Sequence, residues 1–112
     1  MENREEMTGI TVKTNVIKRN GQEVAFDISK IVNAIRKANK EVEGIHQMSS
    51  FQIQAVAENI AKKISAYSHA CNVEDIQDMV ETGIMEMRGY EVAQKYVRYR
   101  YKREISRKSN TT

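Results

Sequence analysis

From Thr11 to Lys18 the chain alternates β-branched and polar residues (Thr11, Val12, Lys13, Thr14, Asn15, Val16, Ile17), the period of a strand with one covered face. Asn20-Gly21 follows, a two-residue hairpin signal because both residues tolerate positive φ, and Gln22 to Phe26 reads as the returning strand. The period then changes. Ile28, Ile31, Val32, Ile35 and Ala38 recur at helical spacing and predict a helix to Val42, capped by Asp27 or Ser29. Glu43-Gly44-Ile45-His46 reads as a linker. Ser49 or Ser50 caps a second helix that buries Ile53, Val56, Ala57, Ile60 and Ile64. His69-Ala70-Cys71 reads as a loop. Asn72 caps a third helix, with Asp75 three residues on in a box-like arrangement. The apolar face of that helix is Val73, Ile76, Met79, Val80, Ile84 and Met87. Gly89 marks a break, and a last helix from Tyr90 turns Val92, Ala93, Tyr96, Val97 and Tyr101 inward. The expected fold is α+β and mostly helical, with a small β-hairpin or three-stranded sheet capping a four-helix bundle. Residues 1–10 read as a flexible polar tail, 11–103 as the folded domain and 104–112 as a C-terminal tail or linker.

Composition narrows the function classes. The 112 residues fit one domain, large enough to bury a core without disulfides. Cys71 is the only cysteine, which excludes an intrachain disulfide framework and a Cys-rich zinc site and points to a reducing, cytoplasmic setting. His46 and His69 lack ligand spacing with it, so no metal site is expected. No apolar run approaches a membrane span, and Met1 to Met7 does not read as a signal peptide. A P-loop is absent because Gly21 stands alone without Gly-Lys-Ser/Thr, so nucleotide hydrolysis is not expected. Nothing marks Cys71 as a nucleophile, and no catalytic residue is assigned.

The net charge of +3 is mild, and its distribution says more. Lys18 and Arg19 flank the hairpin tip, and Lys30 lies in the first turn of the next helix. The three cations suit a polyanion held between strand and helix, a nucleoside triphosphate above all. The simpler reading is that Lys18 and Arg19 solvate a turn. On alternating strand positions the two would point opposite ways, so both reach one ligand only if the chain twists there. Asp27 and Glu23 are placed to accept from an exocyclic amine. A second cationic stretch, Lys95 to Lys108 interleaved with Tyr96, Tyr99 and Tyr101, supports a different reading, a nucleic-acid surface. Against it, cations near a helix C-terminus follow from the dipole.

Val16-x-Lys18-Arg19-Asn20-Gly21, Phe26-Asp27-x-x-Lys30-Ile31 with Ala34-Ile35, Val73 to Glu81, and Val92-Ala93-x-x-Tyr96-Val97-x-Tyr99-Arg100 together resemble the ATP-cone family over Thr11 to Lys102. The segment Tyr99 to Ile105, with Arg107 to Thr112, is similar to the junction that follows this domain in anaerobic (glycyl-radical) ribonucleotide reductases. The resemblance implies an allosteric switch without its own active site. ATP would activate a reductase catalytic region and dATP would inhibit it, with Mg2+ on the nucleotide. By position, Val16, Lys18, Arg19, Asn20 and Gly21 would form the hairpin side of the site, and Asp27, Lys30 and Ile31 the helix side. Asp27 would face adenine. Lys102 matches a phosphate-contacting lysine, with Arg100 and Arg103 as near alternatives, and Val73 stands where some relatives carry a threonine. The chain is expected to be an isolated regulatory domain or a stand-alone regulator, with room for self-association through its helices. The alternative remains a nucleic-acid-binding or transcription-regulator module using the last helix.

Overall fold

The computed structural model describes residues 14–110, with side chains through Ile105. The tail assigned to residues 1–10 and the start of the first strand, residues 11–13, lie outside them. Strand β1 (Asn15–Ile17) is central in a three-stranded sheet of order β2-β1-β3. It pairs antiparallel with β2 (Glu23–Ala25) through Val16↔Val24, and parallel with β3 (Cys71–Asn72) through Val16↔Cys71. Cys71 therefore lies in a strand and not in the expected loop. Burial raises its thiol pKa, with the Asp75 carboxylate adding to the shift.

The hairpin tip is longer than a two-residue loop. Gly21 N–H donates to Lys18 O at 2.9 Å and Lys18 N–H donates to Gln22 O at 2.8 Å. Gly21 alone takes positive φ there, +87°, so Arg19-Asn20 occupy the turn and Gly21 the left-handed position after it. Asn20 Oδ1 accepts from Gln22 N–H at 2.9 Å, its ordinary role in a turn. Lys18 and Arg19 thus lie beyond the end of β1, free of strand alternation.

Four helices follow among the described residues. Helix α1 (Ile28–Lys40) is capped by Asp27, whose Oδ1 accepts from Ser29 N–H at 3.0 Å and from Ser29 Oγ at 2.7 Å. Those hydrogen bonds hold the Asp27 carboxyl below its ordinary pKa. A 3-10 turn at Gly44–His46 occupies the expected linker, its His46 ring 3.6 Å from Glu91. Helix α2 (Ser50–Ser65) starts on a full capping box between Ser49 and Gln52. Helix α3 (Val73–Glu86) has Asn72 at its N-cap but no side-chain cap bond, so the expected box does not form. Asn72 is also a strand residue paired with Ile17.

The break after α3 uses the glycine differently from the expectation. Arg88 N–H donates to Met85 O, Gly89 N–H donates to Ile84 O, and it is Arg88 that takes φ 65°. Gly89 is required for space: a Cβ there would lie 2.9 Å from Met48 Sδ and 3.2 Å from Ile84 Cγ2. Helix α4 (Tyr90–Asn110) then runs without interruption past the boundary drawn at residue 103.

The main helix contacts run α1–α2, α2–α3, α3–α4 and α4–α1, closing a ring around Ile35, Val56, Ile60, Ile64, Val80, Ile84 and Val92. The α4 stripe bends away from the expectation. Val92, Ala93 and Tyr96 are buried, whereas Val97 and Tyr101 are exposed. At 3.6 residues per turn the inward face continues from Tyr96 to Tyr99, Arg100 and Arg103. This side of α4 therefore changes from buried and apolar at Val92, Ala93 and Tyr96 to half-buried at Tyr99 and Arg100 and exposed at Arg103.

Candidate functional site

The parallel β1–β3 pairing positions the site. It sets the N-terminus of α3 beside the hairpin tip, and α1 begins directly after β2. These elements and the cationic part of α4 enclose a cavity of about 260 Å³. Its floor is apolar: Val16, Val24, Phe26, Ile31, Ala34, Val73, Ile76, Val80 and the ring of Tyr96. Burial pushes the Tyr96 phenol up to about 12, so it stays protonated throughout the neutral range. The rim carries Lys18, Arg19, Lys30, Arg100 and Arg103, with Asp27 as its one carboxylate.

The five cations are not equivalent. Arg19 Nη1 lies 2.6 Å from Glu74 Oε2 and 3.8 Å from Glu104 Oε1, and its Nη2 donates to Gln77 Oε1 at 3.1 Å. Arg100 donates to Asp78 Oδ1 at 3.0 Å and to Glu81 Oε2. Burial opposes the Arg100 charge, but the two carboxylates outweigh it and raise the guanidinium pKa. Both arginines thus tie the cavity wall to α3. Lys18 and Lys30 have no ion pair among the described residues. Arg103 donates to the Tyr99 hydroxyl at 3.2 Å, with its guanidinium carbon 5.8 Å from the ring centroid. Lys37 Nζ lies 5.7 Å from the same centroid. Burial alone would raise the Tyr99 phenol, and these two cations reverse the shift to below its ordinary value.

Of the residues named from the sequence, the fold brings Val16, Lys18, Arg19, Asp27, Lys30, Ile31 and Arg100 into one cavity wall. Asn20 and Gly21 shape the turn behind it. Glu23 lies elsewhere: it accepts from Asn15 Nδ2 at 3.1 Å and lines a different depression with Tyr67 and His69. Lys102 faces a groove between α1 and α4. Tyr99, Gln77 and most of the apolar floor were not singled out in the sequence as site residues. The polar residues at Tyr96 +3, +4 and +7 were the available signal for Tyr99, Arg100 and Arg103. Gln77 carries the same kind of signal, four residues after Val73 and three before Val80 on the cavity side of α3.

A hairpin lid over a helical bundle, closing a cavity with an apolar floor and a cationic rim, defines the class of domain. The family model described as the ATP cone domain matches residues 14–105. The chain belongs to the ATP-cone family. It is 30% identical over 97 residues to the anaerobic ribonucleoside-triphosphate reductase of Haemophilus influenzae, covering 86% of this chain and 13% of that protein. Over 96 residues it is 34% identical to the vitamin B12-dependent ribonucleoside-diphosphate reductase of Mycobacterium tuberculosis, covering 85% of this chain and 13% of that protein. The chain thus spans about one-eighth of the length of these relatives. Among the described residues, no helix is long and apolar enough to cross a membrane.

Proposed function

We propose that this domain binds an adenine nucleoside triphosphate in the cavity under the hairpin and acts as an allosteric regulator of a ribonucleotide reductase. The carrying observation is the cavity itself: an apolar floor beneath a rim where Lys18, Lys30 and Arg103 are free of ion pairs with the described residues. An apolar floor suits a base and ribose, and unpaired cations suit a phosphate chain. The size agrees with that division. About 260 Å³ is near the lower limit of ligand pockets, roughly 300 Å³, so the phosphates extend to the rim. Asp27 uses Oδ1 to cap α1, and its Oδ2 makes no hydrogen bond among the described residues. That oxygen is the acceptor for the adenine amino group. Mg2+ arrives with the triphosphate.

ATP favours the active reductase and dATP the inhibited one, through different affinities for two states of the domain. The parent enzyme is of the anaerobic ribonucleoside-triphosphate type and cytoplasmic. The junction motif after Tyr99 and the Haemophilus influenzae relative support that assignment. The domain does no chemistry on the nucleotide. Titration calorimetry with ATP, dATP and GTP in the presence of Mg2+ tests the reading. Heat with both adenine nucleotides and little with GTP is expected. Folded protein giving no heat with ATP or dATP would end it.

A further inference from the structure

We propose that the groove between α1 and α4 is a second anion site, separate from the cavity, that takes a phosphate chain. Lys37 and Lys40 from α1 and Lys95, Arg98 and Lys102 from α4 line it, with Glu41 as its one carboxylate. Its volume is about 400 Å³. The α4 residues lie at i, i+3 and i+7, one face of one helix. Lys37 and Lys40 lie three apart on the helix packed against it. Five like charges therefore converge on one concave surface. None of them has an ion pair among the described residues, although Arg100, two positions from both Arg98 and Lys102, has two. Acidic partners exist nearby, and the fold gives them to the opposite side of α4.

The helix dipole explains only part of this cluster. Lys37 and Lys40 sit in the last turn of α1, where cations are favoured. Lys95 is the sixth residue of α4, nearer the end where they are not. A single carboxylate cannot balance five cations, but a chain of phosphates can. The lysine-rich lining fits phosphate oxygens approached as point charges from several directions. The phosphates come either from a free oligophosphate or from a single-stranded nucleic acid. Tyr101, 64% exposed beside the groove residues on α4, offers a nucleic-acid base a ring to stack on.

Calorimetric titrations of inorganic tripolyphosphate, a single-stranded oligothymidylate and polyglutamate test the site in a Lys18→Glu background, which weakens phosphate binding at the cavity rim, with and without Lys40→Glu/Arg98→Glu. The Lys18→Glu protein is expected to bind tripolyphosphate or the oligonucleotide through the groove. Which of the two binds more tightly identifies the source of the phosphates. Adding Lys40→Glu/Arg98→Glu should cost about tenfold or more in that affinity, with the log–log salt slope reduced by about one per removed contact. A Lys40→Gln/Arg98→Gln pair in the same background, with the thermal midpoint checked, reproduces the loss without charge reversal. Lys18→Glu protein that binds neither phosphate probe overturns the proposal, as does undiminished binding after the groove substitutions or equal affinity for polyglutamate. ATP binding in the cavity is read separately in the wild type, so either site can fail alone.

Discussion

The cavity under the hairpin and the groove between α1 and α4 are built from the same charges, five cations and one carboxylate each. They differ in what surrounds those charges. In the cavity, Arg19 and Arg100 are tied to carboxylates of α3, and the remaining cations ring an apolar floor. In the groove no cation is ion-paired among the described residues, and the apolar surface comes from Ala38, the Tyr99 ring and aliphatic stems rather than from core side chains. Charge count alone therefore does not define a nucleotide site. The cavity offers an apolar floor of core side chains for a ring and a cationic edge for a tail, while the apolar surface of the groove belongs to the stems of the cations themselves and to the Tyr99 ring.

The largest test of this contrast is Lys18→Glu. It should weaken ATP binding about a hundredfold, ~3 kcal/mol, with the circular dichroism spectrum unchanged, while Arg98→Glu leaves ATP affinity as it was. Wild-type affinity in Lys18→Glu would remove the hairpin from the site. Next comes the structural role of a paired arginine. Arg100→Ala leaves Asp78 and the half-buried Glu81 without their partner and should cost about 2 kcal/mol in urea denaturation. Arg98→Ala, with no ion pair among the described residues, should change stability by less than about 0.5 kcal/mol. Equal effects would erase the distinction between the two regions.

Asp27→Ala should cost about 1 kcal/mol, the usual effect of removing an N-cap. The Asp27 pKa is lowered in the folded protein, so its contribution is present above the ordinary carboxylate value of 3.8 and is lost as pH falls through the lowered one. The stability gap between wild type and Asp27→Ala should therefore narrow in acid; a pH-independent gap contradicts the cap. The smallest effect is expected at Glu74. In the ligand-free domain its carboxylate competes with phosphate for Arg19, so Glu74→Gln should tighten ATP binding by about threefold at low salt and less at high salt. Weaker binding in that variant would mean that the pair is needed to aim Arg19.

Helix faces were legible because burial and helical period act locally. Ile53, Val56, Ala57, Ile60 and Ile64 are buried as their spacing requires, and Ser49 caps as a Ser-x-x-Gln box should. Misreadings occurred where a local signal had two physical uses. Gly89 read as a break, yet Arg88 bears the positive φ, and the missing Cβ makes room for Met48. Asn20-Gly21 read as a two-residue turn, yet only Gly21 is left-handed, which carries Lys18 and Arg19 to the same side. The two residues of β3 are too few for periodicity to reveal. Val97 and Tyr101 are apolar or aromatic, but the helical phase turns them outward.

By itself the sequence determined the four helices, the apolar faces of the first three, a pair of candidate caps for each of α1 and α2, and the hairpin that brings Lys18 and Arg19 near Lys30. These depend on neighbours a few positions apart. Only the tertiary structure decided which cations remain available. The parallel pairing of β1 with β3 sets Glu74 and Gln77 against Arg19, and the packing of α3 on α4 gives Asp78 and Glu81 to Arg100. A charge is balanced by whatever lies within a few ångströms in space, and residues 55 positions apart are neighbours only after the chain has folded.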